Sequence, residues 1–487
     1  MTEKTKMKQR NLTILFLIFL FAFLAGVHSV YGAETWLVNA NKLTLEYRQT
    51  LETLAKRCEE NNLSEEARKI RLCVPPQADD KIYIPKLPIQ VLRSSSDKKS
   101  SNSKEGDKFN WEAEFWKTRR NYAEKLFTYA KSAAKRDRGT LAIQMSLAAL
   151  QADPDHERIR KLLGFVQYKG EWRPPWEAEQ LKKGYVDHPR FGWMPAKNVK
   201  RYEAGERLYD QKWISKDEDQ HFHGQDVRKG WVITSEHYIL YTNHSIEEGV
   251  RLSRKLEDFY RAWKLLFYRY MASDEELAAL FDGKVTPMMG RKHQIYVFRD
   301  RKDYTTNLVK DFPQIDQTAG IYTSPRCCLY FDDANKEYVG RVLLHEATHQ
   351  LFNENRRTTG SYGARWMVEG VATYMETLQS EGDYYVVGGT NDVRFQNAMD
   401  DALKKGSYVP LSLLVEAERG QSFSYAQSAG LTHFLMHAEN GAFRDAMVQY
   451  LRRIYEGKDD SNTLQILTKK SYVTLDEMYL EYLKTKK

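Results

Sequence analysis

Residues 345–349 read His-Glu-Ala-Thr-His, and residues 366–376 read Trp-Met-Val-Glu-Gly-Val-Ala-Thr-Tyr-Met-Glu. On a helix of 3.6 residues per turn, His345 and His349 leave one face, one turn apart. Two imidazoles so placed can bind one Zn²⁺ at about 2.0–2.1 Å each. Glu346 is offset from that line. It misses the cation but reaches a water held beside it, as metal-assisted hydrolysis requires. Taken alone, the string fixes only three positions, and two surface histidines flanking an ordinary helical Glu would also satisfy it.

The surroundings narrow the choice. Val342-Leu343-Leu344 is apolar, so the helix expected over 338–352 is a buried one and its histidines need partners. Glu369 sits in an apolar stretch of a second expected helix, where an unpaired carboxylate would be costly. Nineteen residues, 350–368, separate His349 from Glu369. That length suits a helix–loop–helix that returns an oxygen ligand to the same cation. Two His and one Glu, with the fourth position open to water, is a catalytic zinc pattern.

At these residues the chain resembles the gluzincin clan, the peptidase MA-like zinc metallopeptidases that include thermolysin. It is more closely similar to a family of exported bacterial proteins within that clan. The resemblance covers roughly residues 226–487, and the helical and Trp-rich stretch before them resembles regions found upstream in the same family. It implies His345, His349 and Glu369 as zinc ligands, Glu346 as general base, and a peptide or protein as substrate. Tyr425-Ala426-Gln427-Ser428-Ala429-Gly430 resembles the clan segment whose Tyr stabilises the oxyanion. Tyr425 is the candidate for that role; an aromatic packed at a helix start is the alternative. The chain departs from its relatives at Thr373, where an acid is common, so a carboxylate supporting the ligands must come from elsewhere, Glu376 or an Asp. The Gly-x-Met-Glu-Asn string of one aminopeptidase branch is absent, which leaves exopeptidase action without support. Cys328–Phe331, ahead of the active helix, is expected as the sheet edge on which an extended peptide pairs.

Two rival functions remain at this level. One is a non-catalytic extracytoplasmic zinc-binding and protein-interaction module. An intact Glu346 speaks against it, because a structural site needs no base and closes its fourth position. The other is hydrolysis of a non-protein amide, such as a cell-wall crosslink.

The chain begins with Lys4, Lys6, Lys8 and Arg10, then an apolar run from Leu12 to about Val27, then small residues with Val30 and Gly32 ahead of Ala33. This is the layout of a secretory signal peptide, which predicts export to the periplasm or beyond. A single N-terminal membrane anchor is the alternative, although the run is shorter than a typical span of about 20 residues. Removing the leader's net three positive charges from the formal +8 leaves +5. That balance is mild and dispersed and gives no case for nucleic acid. Contact with a membrane is expected only through an uncleaved leader.

The expected architecture is α+β: a mostly helical N-terminal region, then a zincin-like domain with a small mixed sheet, an active-site helix and a helical C-terminal subdomain. The divisions are 1–32 signal peptide, 33–92 small helical region, 93–108 flexible linker, 109–225 helical and Trp-rich connector, and 226–487 metallopeptidase-like domain. Leu43–Arg71 has helical periodicity. Residues 94–108 are polar and low in complexity. Residues 148–156 resemble the turn of a tetratricopeptide-like helix pair, with Asp153 as cap and Pro154 in the first turn. Only one such repeat is visible, too few for a binding solenoid. Trp172 to Trp213 is expected as an irregular connector packed by its tryptophans. Trp231–Thr242 alternates as one or two strands, Ser245 caps a long helix, Gln294–Phe298 is a strand, and Gly320–Tyr322 with Cys328–Phe331 forms a hairpin. In an oxidising compartment Cys58 and Cys73 could pair, whereas the adjacent Cys327 and Cys328 are expected as buried thiols. His433 and His437 also lie four apart, but without a following Glu they are expected as core or surface histidines.

Overall fold

The computed structural model describes residues 35–74, 76, 78–87, 109–136, 138–284, 291–355, 364–416 and 424–486. The leader at 1–32 and the linker at 93–108 lie outside the described residues. Among the described residues no helix is long and apolar enough to cross a membrane. The fold is α+β, predominantly helical with small sheets.

The first helical stretch is two helices, α1 (Thr35–Glu60) and α2 (Ser64–Leu72), where periodicity predicted one. The chain turns at Asn62, whose φ of 61° is left-handed, a conformation that Asn tolerates better than most residues. Strand β1 (Lys81–Pro85) follows. Helices α3 (Trp111–Ala134) and α4 (Gly139–Ala152) form a hairpin, and α1 packs on α3 through Tyr47 and Tyr122, stacked with ring centroids 3.9 Å apart. The next helix, α5 (Glu157–Leu162), starts later than expected. Its cap is His156, whose ring accepts from the Ile159 amide at 3.4 Å, and not Asp153. The turn before it is taken up by other bonds: Arg160 Nε donates to the Pro154 carbonyl at 2.8 Å, and Trp172 Nε1 donates to Asp155 at 2.6 Å.

The Trp-rich stretch is not irregular. It holds three successive hairpin–helix units: β2 (Val166–Tyr168), β3 (Glu171–Arg173) and α6 (Pro175–Lys182); β4 (Tyr185–His188), β5 (Gly192–Pro195) and α7 (Val199–Glu203); β6 (Glu206–Tyr209), β7 (Lys212–Ser215) and α8 (Lys216–His223). The signal lay in the spacing of Gly164 and Trp172, Gly184 and Trp193, and Gly205 and Trp213. Each of these glycines opens its unit at positive φ (89°, 77° and 92°), which glycine alone reaches without strain. The tryptophans pack, as expected. Trp176 meets Trp193 edge-on at 5.4 Å, and Tyr202 meets Trp213 at 5.9 Å.

A five-stranded mixed sheet follows, built from β8 (Trp231–Thr234), β9 (Tyr238–Thr242), β10 (His293–Phe298), β11 (Gly320–Thr323) and β12 (Arg326–Tyr330) in the order β11-β12-β10-β9-β8. β8 and β9 form one hairpin; β11 and β12 form the other. β10 lies between them, parallel to both β9 and β12. β12 is therefore interior, and the edge beside the helix that carries His345 and His349 is β11, not the Cys328–Phe331 strand. Helix α9 (Ile246–Leu266) is capped by Ser245, which accepts from the Glu248 amide at 3.3 Å. Helix α10 (Lys336–Glu354) crosses the sheet with Leu343, Leu344, Ala347 and Leu351 buried against it. Beyond it come α11 (Arg365–Met375), β13 (Gln379–Glu381), β14 (Tyr384–Gly388), α12 (Val393–Asp400), α13 (Tyr425–Gly441) and α14 (Tyr472–Thr485).

The N-terminal segment is built into this part of the molecule. β1 pairs antiparallel with β14, Lys81 opposite Gly388 through Pro85 opposite Tyr384. One apolar core runs from Leu51 and Leu54 of α1 to Leu475 and Leu483 of α14. The four thiols are unbonded: Cys73 Sγ accepts from Arg119 at 3.1 Å, and Cys327 and Cys328 are buried, as expected.

Candidate metal centre

The face of α10 opposite its buried leucines carries Arg341, His345, Glu346 and His349, each partly exposed. α11 has Trp366, Met367, Val368 and Val371 buried. Its rotation is fixed by close contact with α13: a Cβ on Gly370 would collide with Thr432 Oγ1 and lie 2.7 Å from the Ser428 carbonyl. With that side pressed home, Glu369 faces the histidines.

Three ligand atoms converge. His345 Nε2 lies 3.2 Å from His349 Nε2. Glu369 Oε2 lies 3.3 Å from His345 Nε2 and 3.6 Å from His349 Nε2. Tetrahedral ligands at about 2.0–2.1 Å from a zinc ion stand about 3.3–3.4 Å apart, so the three atoms lie near three corners of such a tetrahedron, with the Glu369–His349 edge the longest. A cation also suits the electrostatics. Burial alone would lower the His345 imidazole, but its hydrogen bonds to Glu369 and Glu376 and the charge of Glu346 outweigh burial and raise it to about 10. Burial would raise the Glu369 carboxyl, but the hydrogen bonds from His345 and His349 hold it well below the usual carboxylate range.

Glu346 points towards β11. Its carboxylate accepts from the Tyr322 backbone N–H, and burial, opposed by the charges of His349 and His345, raises its pKa. Gly320 makes this approach possible: a Cβ there would stand 2.8 Å from Val342 Cγ1 and 3.0 Å from Glu346 Cγ. An open cleft of about 820 Å³ lies alongside, lined among others by Gly320, Tyr338, His345, Glu346, Arg394 and Tyr425.

The carboxylate left open between Glu376 and an Asp is Glu376. Its Oε1 accepts from His345 Nδ1 at 2.8 Å, and a bond of this kind would orient the imidazole from behind were it to bind a metal. Thr373, at the departing position, donates to the Glu369 carbonyl at 2.8 Å. Glu376 is held in turn by Arg341 at 3.2 Å and Arg394 at 3.3 Å, and Arg341 also pairs with Asp392 at 3.0 Å. Arg341, Asp392 and Arg394 escaped the sequence reading. Arg341 is four residues before His345, so helical spacing could have found it. Nothing local marks Asp392 and Arg394, which tertiary contacts bring in. Their segment is fastened to the N-terminal region: the Asp80 carboxylate accepts from the Thr390 amide at 3.1 Å, and its carbonyl accepts from the Gly389 amide at 2.7 Å.

Tyr425 opens α13 at the rim of the same cleft, 46% exposed, with the cap Ser424 accepting from the Gln427 amide at 3.2 Å. It is thus not packed away in the core. His433 and His437 are core residues. His433 Nε2 donates to the Asp80 carbonyl at 3.2 Å, and its Nδ1 accepts from Tyr482 at 2.8 Å. His437 Nε2 pairs with the Tyr374 hydroxyl at 2.9 Å, and burial pushes His433 down to about 3. Among the described residues one further group, Glu236, His237 and Glu257, has donor atoms close enough for a metal. There both Glu257 oxygens are occupied, by the His237 amide and by its Nδ1, each at 2.7 Å.

Residues 341–457 match the model of a family described as Protein of unknown function (DUF1570), a span that holds His345, His349 and Glu369 together with Glu346, Glu376, Arg394 and Tyr425. No curated protein matches the chain.

Proposed function

We propose that the protein is an exported zinc metallopeptidase of the gluzincin type, with His345, His349 and Glu369 as ligands and Glu346 as general base. The observation that carries the reading is the convergence of three ligand atoms within 3.2–3.6 Å of one another beside an open cleft. A buried, closed ligand set would favour a structural metal; an open side supports catalysis.

Zinc, when bound, would polarise the attacking water and lower its pKa towards about 7. Glu346, with its raised pKa, is suited to take a proton from that water and hand it to the leaving amine. Its bond to the Tyr322 amide holds it towards the edge strand. β11 is the edge strand of the sheet, and an extended peptide would run along it, with its scissile carbonyl over the ligand face. Tyr425, on the rim of the cleft, would donate to the developing oxyanion. Glu376 keeps His345 in the tautomer that presents Nε2.

Glu346→Gln is expected to keep zinc and lose at least about a hundredfold of peptide turnover. Zinc content by elemental analysis and cleavage of a casein digest, with and without chelator, measure both. Turnover by the variant at the unmodified rate would overturn the assignment of the base. Zinc bound without any peptide cleavage would favour the non-catalytic module, and release from a peptidoglycan digest alone would favour the cell-wall amide.

A further inference from the structure

Arg394 is the second residue of α12, its amide held by the cap Asp392 at 2.9 Å. Its guanidinium reaches three places. One N–H group lies 3.3 Å from Glu376 Oε1, the oxygen that accepts from His345. Another donates to Thr373 Oγ1 at 3.4 Å on α11. Its central carbon stands over the Tyr425 ring, 5.5 Å from the centroid. The side chain is one-third exposed, on the cleft wall. A planar guanidinium is suited to this, because its edge bonds a carboxylate while its face stacks on an aromatic ring.

We propose that Arg394 is a positioning residue that ties Tyr425 to the carboxylate behind His345, so that the phenol is held at a set place relative to the ligand face. The inference rests on the peptidase reading. Tyr425 sits at the first turn of its helix and is nearly half exposed, and the guanidinium over its ring narrows the rotamers its phenol samples. Misplacing a catalytic group by about 1 Å costs on the order of a hundredfold in rate. The cation also adds to the positive potential where the oxyanion would form.

The test uses the full chain loaded with zinc, with 3-fluorotyrosine incorporated and the Tyr425 resonance assigned by its loss in Tyr425→Phe. Arg394→Met is expected to move that resonance and to lower kcat on a fluorogenic peptide by about ten- to hundredfold. KM should stay within about twofold at saturating zinc, and Arg394→Lys should restore part of the rate. In the Tyr425→Phe background, Arg394→Met should cost less than about twofold more, since residues acting as a unit are not additive. An unmoved resonance, or two losses that simply multiply, would overturn the proposal. If the unmodified chain cleaves no peptide, the peptidase reading fails, while the resonance still decides whether Arg394 holds Tyr425.

Discussion

Glu376 is the sharpest point at which to perturb the site without touching a ligand. Its Oε1 accepts the Nδ1 proton of His345 at 2.8 Å, and its other oxygen meets Arg341 at 3.2 Å. A hydrogen bond to a charged acceptor contributes about 1.5–3 kcal/mol, and 1.4 kcal/mol is tenfold in affinity. Losing the bond should therefore weaken zinc binding by about ten- to a hundredfold, the range found for carboxylates behind metal-bound histidines. Glu376→Gln retains an acceptor but loses the charge and should fall at the lower end. Glu376→Ala removes the acceptor and leaves Arg341 with Asp392 alone, and should fall at the upper end. Competition against a fluorescent zinc chelator measures the affinity, and far-ultraviolet circular dichroism checks the fold. If both variants fold and both bind zinc as tightly as the unmodified chain, Glu376 does not orient His345 and the account of the site loses its support from behind.

Two further outcomes follow from contacts away from the ligands. Gly370→Ala should destabilise the fold by roughly 1–3 kcal/mol, the usual cost of overpacking, because its methyl would meet Thr432 Oγ1 and the Ser428 carbonyl; a urea midpoint unchanged from the unmodified chain would contradict the packing that aims Glu369. Glu257 bears on pH. Burial would raise its carboxyl, but the hydrogen bond and charge of His237 and the charge of Arg261 outweigh this and hold it at about 2, below the ~4.3 of a free Glu. A carboxyl lowered in the folded state contributes stability that is present above the unfolded value and is lost as pH falls from about 4.5 towards 2. The stability difference between the unmodified chain and Glu257→Gln should shrink across that window by an amount of the order of 2–3 kcal/mol. Parallel urea stabilities over the window would refute it.

Much of the α+β architecture was legible along the chain. Alternation at Trp231–Thr242, the Ser245 cap and the β11–β12 hairpin all carry short-range signals, and each element forms within about two residues of where those signals put it. The misreadings have separate physical causes. At Asn62 a single left-handed residue broke a helix whose periodicity ran on either side. At 164–223 the hairpins are only three or four residues long per strand, too short for alternation to register, so their Gly and Trp spacing had to serve instead. β12 read as an edge because pairing partners are non-local and leave no mark on the strand itself.

The candidate site divides in the same way. The face shared by His345, His349 and Glu346 follows from helical spacing alone, since residues one turn apart on a helix are neighbours whatever surrounds them. Glu369 was a reasonable partner from its apolar setting, yet the 3.3 Å approach to His345 depends on how closely α11 packs on α13. Glu376 against His345, Arg394 against Tyr425 and the Asp80 clamp on Thr390 were settled only by the tertiary structure. Those contacts join segments up to 310 residues apart, and no local periodicity or propensity records which distant groups packing will bring within hydrogen-bonding reach.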